Sequence, residues 1–111
     1  MGKKGFLGEF EQLVMLAVAR LKGGDDAYGM RIHEELQETI DRPVSITAVY
    51  VTLSRLEEKG LVSSWKGEPT AERGGRAKKY FKLEAAGEEA LKQSREFLVR
   101  LWEGVELGAE E

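Results

Sequence analysis

The 111-residue sequence predicts a mainly α fold with one small β-hairpin, built as a single domain. Three observations predict it. Apolar residues recur at steps of three and four along four separate stretches, the spacing of one helix face. Between residues 61 and 83 that period gives way to short alternating runs of β-branched and aromatic residues around a segment rich in Gly, Pro and charge, the signature of a hairpin. With 41% hydrophobic and 33% charged residues, the chain can bury one core and stay soluble, but it is too short for a two-domain enzyme.

The first helix is expected over residues 7–21, where Leu7, Phe10, Leu13, Val14, Ala17, Val18 and Leu21 share one side. The run from Lys22 through Gly23, Gly24 and Asp25 to Asp26 stops it, since the glycines suit a C-cap and Asp26 can cap the next helix. That second helix is expected to begin near Ala27, with Tyr28, Ile32, Leu36 and Ile40 four residues apart and Met30 and His33 at the flanks. Pro43 breaks it. Ser45 caps a third helix, in which Ile46, Val49, Leu53 and Leu56 face one way. Thr47, Val51, Ser54, Arg55 and Glu58 point away from that stripe, and Tyr50 sits at its edge. Gly60 ends this helix. Strands come next at residues 61–65 and 79–83, joined by a long basic tip. From Glu84 the chain returns to helix formers, with Leu91, Leu98, Leu101, Trp102 and Val105 spaced by sevens, threes and fours until Gly108.

The net charge of −3 is unevenly spread. Residues 1–44 carry a local net of −2, residues 45–83 of +4 and residues 84–111 of −5. A basic middle between acidic flanks suits a protein with one face for phosphate and other surfaces that repel it. Two helices on a short turn, a third helix and a basic hairpin make the layout of a winged helix-turn-helix. In that layout the third helix enters the major groove and the hairpin grips the adjacent backbone. The candidate DNA-binding residues of the third helix are then Ser45, Thr47, Tyr50, Val51, Ser54 and Arg55. Hydroxyls and the guanidinium donate to phosphates or base edges, and Val51 can pack on a thymine methyl. Arg73, Arg76, Lys78, Lys79 and Lys82 of the hairpin supply charge for counterion release. The alternative from another class is a winged-helix protein-interaction module whose acidic ends hold a partner; the basic hairpin and the polar third-helix face argue against it.

Enzyme readings lack an inventory. There is no cysteine, so disulfides, thiolate metal sites and Cys nucleophiles are excluded. The single His33, beside Arg31, Glu34 and Glu35, reads as a surface or helix-packing residue. Gly74-Gly75-Arg76 is no phosphate loop, because no Gly-Lys-Ser/Thr comes after it. Glu34, Glu35, Glu38, Glu57 and Glu58 have no second His to join them in a metal site. No enzyme activity, cofactor or metal is expected. No stretch approaches the roughly 18 apolar residues of a membrane span, so no membrane partner and a cytoplasmic location are expected.

Leu91, Leu98 and Val105 repeat every seven residues, with Leu101 three after Leu98, a short heptad seam. With the aromatic surface of Phe97 and Trp102, and with Phe10 from the first helix, they are the candidate contacts of a symmetric homodimer presenting two readers to two half-sites. Packing of the last helix on the first helix of the same chain competes with that reading. In a dimer the two copies of Trp102 can approach the two-fold axis and offer flat π faces between which a small aromatic effector could slot. The expected organisation is a DNA-binding region over residues 1–83 and a dimerisation helix over residues 84–111, in one structural unit.

The segments LGEFEQLVMLAVARL, DAYGMRIHEEL, ITAVYVTLSRLEEKGLVSS and ERGGRAKKYFKLEAAGEEAL resemble successive blocks of the PadR family of bacterial transcriptional regulators, from about residue 7 to residue 91. The most specific parts are Ala27-Tyr28-Gly29, Tyr50 with residues 53–60, and Gly74-Gly75-Arg76 with Lys79-Tyr80. The resemblance implies a homodimeric winged-helix repressor with a C-terminal dimerisation helix, often released from its operator by a small aromatic ligand. It also implies that Tyr28, Tyr50, Gly74, Gly75, Arg76 and Lys79 stand at DNA-binding positions. Val51 departs from the proline many members have there, which loosens any carry-over of sequence preference. The single helix after the hairpin resembles the short members of the family.

Overall fold

A computed structural model describes residues 6–22, 26–67 and 78–108. Its elements run in the order α1 (Glu9–Arg20), α2 (Gly29–Ile40), α3 (Ile46–Glu58), β1 (Val62–Lys66), β2 (Lys79–Leu83) and α4 (Ala85–Trp102).

At the start of α1 the Gly8 N–H donates to Glu11 Oε1 at 3.1 Å, and Glu9 and Glu11 set negative charge against the positive end of the helix dipole. The apolar stripe buries Val14, Met15, Ala17 and Val18. After α1 the left-handed residue is Lys22, at φ 60°. Gly23 and Gly24, expected in that role, lie outside the described residues.

The start of α2 differs from expectation. Tyr28 is extended and pairs with Tyr80, and the Phe81 N–H of β2 donates to Ala27 O at 2.8 Å. The helix therefore begins at Gly29 rather than near Ala27, and Tyr28, not Asp26, is its N-cap residue. At the other end Asp41, at φ 58°, stops the helix two residues before Pro43. Two side chains of α2 pin the turn after it. His33 Nε2 donates to Val44 O at 2.7 Å, and Gln37 Oε1 accepts from Val44 N at 2.9 Å. His33 is thus a helix-packing residue.

Ser45 Oγ accepts from the Ala48 N–H at 3.1 Å, as its N-cap position requires. Val49, Thr52, Leu53 and Leu56 are buried. The helix closes in a Schellman motif, with Gly60 at φ 77°, Gly60 N–H on Glu57 O and Leu61 N–H on Leu56 O, both at 3.0 Å. Because Leu61 completes this cap, β1 starts at Val62, one residue later than alternation suggested. The hairpin pairs Val62 with Leu83, Ser64 with Phe81 and Trp65 with Tyr80. Val62 and Phe81 face the core, where they join Val14, Met15, Val18, Ile32, Leu36, Val49, Leu53 and Leu56. Each large apolar side chain in that cluster contributes about 1.5–3 kcal/mol through burial.

The first turn of α4 sits on the corner between α3 and β1. Glu84 N–H donates to Leu61 O at 3.0 Å, and Ser63 Oγ donates to Glu84 Oε2. Further along, Leu91 packs on the core, and residues 95–102 beyond it are exposed. It ends at Trp102, not near Gly108, with Gly104 at φ 76° just after it. Val105 is therefore off the helix, and the expected seam is one position shorter.

Candidate nucleic-acid interface

Helix α3 uses its two sides differently. Thr47, Tyr50, Val51, Ser54 and Arg55 are all exposed, while the residues between them supply the core. Ser45 is exposed as well, at the helix start, with its oxygen engaged as the cap.

Between the first turn of α2, α3 and the start of β2 lies an open cleft of about 470 Å³. Tyr28, Tyr50, Ser54, Lys78 and Lys79 line it, so five of the expected DNA-binding residues, drawn from three elements, come together. Met30 and Phe81 add apolar wall, and sequence reasoning had not assigned them to the site. Gly29 was also missed as a site residue. A Cβ on it would lie 2.6 Å from Tyr50 Cζ and 2.7 Å from the Tyr50 hydroxyl, so its missing side chain is what lets the Tyr50 ring cross the first turn of α2. The available signal was the Ala27-Tyr28-Gly29 sequence itself.

The hairpin brings aromatic and cationic groups to the same place. Trp65 stacks on Tyr80 at 5.7 Å between centroids, and Tyr28 meets Tyr80 edge-on at 5.9 Å. Lys78 Nζ stands 3.9 Å above the Tyr28 ring, within cation–π range. Lys79 Nζ lies 3.5 Å from Glu57 Oε1. The Glu57 carboxyl is held below the usual carboxylate range, chiefly by the Ser64 hydroxyl that donates to it at 2.6 Å, against some desolvation and with help from the Lys79 charge. Arg73, Gly74, Gly75 and Arg76, the expected tip of the hairpin, lie outside the described residues.

The expected dimer residues divide into two groups. Phe97, Leu98, Leu101, Trp102 and Val105 are exposed, Leu101 at 72% and Trp102 at 55%. Phe10 and Leu91 instead pack against the chain's own core, the intramolecular alternative for those two. Phe6, which sequence reasoning did not assign, meets Phe97 edge-on at 5.7 Å. Among the described residues no group of three or more His, Asp or Glu is placed to hold a metal, and no helix is long and apolar enough to cross a membrane.

Residues 15–93 match the model of the transcriptional regulator PadR-like family. The structure is similar to the X-ray structure of a PadR-like transcription factor from Bacteroides fragilis, with a TM-score of 0.70 and 29% identity over 85% of this chain and 84% of that one. It also resembles a PadR family transcriptional regulator from Eggerthella lenta, with a TM-score of 0.67 and 24% identity over 86% of this chain and 81% of that one. A third likeness is to the Aeropyrum pernix ORC1 protein in complex with DNA, with a TM-score of 0.63 and 28% identity over 86% of this chain but only 26% of that one. No curated protein matches the chain.

Proposed function

The chain belongs to the PadR-like family of transcriptional regulators, and from that premise we propose that it binds an operator in duplex DNA as a homodimer and represses transcription by occupying it. The observation that carries this reading is the convergence of the exposed face of α3 with the cleft of Tyr28, Tyr50, Lys78 and Lys79. Thr47, Val51, Ser54 and Arg55 then face base edges from within the major groove, while the lysines and tyrosine hydroxyls hold the flanking phosphates. In this reading Arg73, Gly74, Gly75 and Arg76 extend the same backbone contact. The likeness to part of the Aeropyrum pernix ORC1 protein, whose structure is a complex with DNA, is consistent with this reading.

Residues 1–83 are the DNA-binding region in this proposal, and residues 84–111 the dimerisation helix. The exposed Leu98, Leu101 and Trp102 support it, because so much apolar surface on one helix end calls for a cover. A small aromatic effector that stacks between the two copies of Trp102 and favours a half-site spacing unlike the operator's would release the DNA. The protein acts where the chromosome is, in the cytoplasm.

Titration of promoter-derived duplexes at several salt concentrations tests the proposal. Log K is expected to fall with log salt by roughly 0.9 for each phosphate neutralised. No binding to any such duplex at low salt, with the dimer intact, would overturn it in favour of a protein-interaction module.

A further inference from the structure

Tyr50, Ser54 and Glu57 stand at i, i+4 and i+7 on α3 and so form one ridge toward the hairpin. The first two line the cleft, and Glu57 stands one turn further along. Lys79 lines the cleft as well, yet its ammonium is 3.5 Å from the Glu57 carboxylate. The same cation can therefore serve either the carboxylate or a phosphate entering the cleft. We infer that Glu57 is an internal competitor for Lys79, which DNA must displace, and that it thereby lowers the charge-driven affinity for duplex DNA. This rests on the DNA-binding reading above.

Several observations fit a competitor rather than a structural clamp. Glu57 is fixed by the Ser64 hydroxyl, whereas Lys79 rides on a flexible stem and is half exposed, so in an exchange the lysine moves and the carboxylate stays. The separation is longer than the 2.7–2.9 Å of a tight charge-assisted bond, so release is easy. A carboxylate in the last turn of α3 also opposes the helix dipole, so helix stability does not account for it. Lys59 offers Glu57 no substitute partner, because it is engaged by Glu11 at 2.7 Å. Lys66 lies directly across the strands from Lys79, a like-charge pair that Glu57 relieves until phosphate takes over.

The test is Glu57→Gln, whose amide oxygen still accepts from Ser64. It is combined with Lys79→Ala in a double-mutant cycle read on a random-sequence duplex across a salt series, with thermal melts to show that each variant folds. Glu57→Gln is expected to bind about two- to fivefold more tightly at low salt and with a salt slope steeper by up to about 0.9. Lys79→Ala should cost more in the Glu57→Gln background than in the natural one. Unchanged or weaker binding by Glu57→Gln, or an equal cost of Lys79→Ala in both backgrounds, would overturn the inference while leaving DNA binding intact. Failure of the unaltered protein to bind any duplex would instead remove the reading on which it rests.

Discussion

Gly29 and Tyr50 share one space: the Tyr50 ring crosses the first turn of α2 where any side chain on residue 29 would collide with it. Gly29→Ala must therefore turn the ring aside. Tyr50 is 45% exposed, so the ring can swing outward at little cost to folding. The melting temperature is expected to stay near that of the unaltered protein, while DNA affinity falls by about 1.5–3 kcal/mol, the worth of a hydrogen bond to a charged group. Tyr50→Phe, lacking only the hydroxyl, should reproduce most of the loss. Binding by Gly29→Ala at full strength would remove Tyr50 from the interface.

Lys78 and Val51 should fail differently. Lys78 projects over Tyr28 from the loop end of the paired strands, beside the cleft, so Lys78→Ala should weaken binding on every duplex and make the salt slope shallower by about 0.9. Val51 is exposed on α3 and carries no charge. Val51→Ala should leave the slope unchanged and relax preference at one base pair, by roughly 1 kcal/mol or somewhat more. Competition assays with single-base operator variants separate the two outcomes.

Whether an element was legible in the sequence depended on the kind of contact that forms it. The faces of α3 were readable because Val49, Leu53 and Leu56 repeat at helix spacing, and β2 because Tyr80, Phe81 and Leu83 sit in an alternating run bounded by turn residues. The roles of Gly29 and Gly87 were not, since a glycine adds nothing to a hydrophobic pattern and its partner, Tyr50 or Leu61, is distant in the chain. Glu57 looked like a solvated carboxylate and Lys79 a cation for the DNA backbone alone; that the two meet depends on how the hairpin folds back on α3. The end of α4 was misjudged because apolar Val105 and Leu107 prolong the pattern beyond the point where the backbone leaves the helix. Phe10 and Leu91 fit an intermolecular seam and an intramolecular core equally well by spacing, and the core takes them.

Leu98 and Leu91 lie two turns apart on α4 but answer to different partners. Leu98 is 51% exposed, so Leu98→Glu leaves the protomer's own core intact. If α4 forms the dimer, this variant is a folded monomer with much weaker operator binding, because the two half-sites no longer share one ligand. Leu91 packs on the core, so Leu91→Glu should destabilise the protomer itself. Sedimentation and thermal melts distinguish the pair. A monomer in the unaltered protein at micromolar concentration would overturn the dimer proposal.

Acid should loosen the junction of α1 with α3. Burial pushes the Glu11 carboxyl up, but hydrogen bonds from Lys59 and the Gly8 N–H, with the nearby cationic charge, outweigh it, and the group titrates below its usual range. A carboxyl with a lower value folded than unfolded stabilises fully above the unfolded value, and that contribution is lost as pH falls through the folded one. Glu35, pulled down chiefly by the Arg20 hydrogen bond, acts in the same direction. Urea midpoints should therefore decline as pH drops below roughly 4 to 5. Lys59→Ala should flatten part of that decline, by no more than about 1 kcal/mol, because Lys59 is about half exposed.

Gly87 tests how the last helix is tied to the reading head. It is buried in the first turn of α4, where a Cβ would press on the Leu61 carbonyl oxygen, lie 3.1 Å from the Leu61 carbonyl carbon and 3.2 Å from Met15 Cε. The Met15 contact can yield, since it is the end of a flexible chain; the Leu61 contact is backbone. That backbone is doubly committed, because the Leu61 N–H closes the α3 cap and its oxygen accepts from Glu84 N–H. Gly87→Ala must therefore lift α4 or deform the α3–β1 corner, an overpacking strain of about 1–3 kcal/mol that exceeds the gain in helix propensity from alanine. A stability loss of that size in chemical denaturation is expected. If α4 carries the dimer contacts, lifting it also tilts the two α3 helices relative to each other. Operator affinity should then fall more than binding to a single half-site. Equal losses on both DNAs would mean that α4 and α3 are not held as one rigid unit through Leu61.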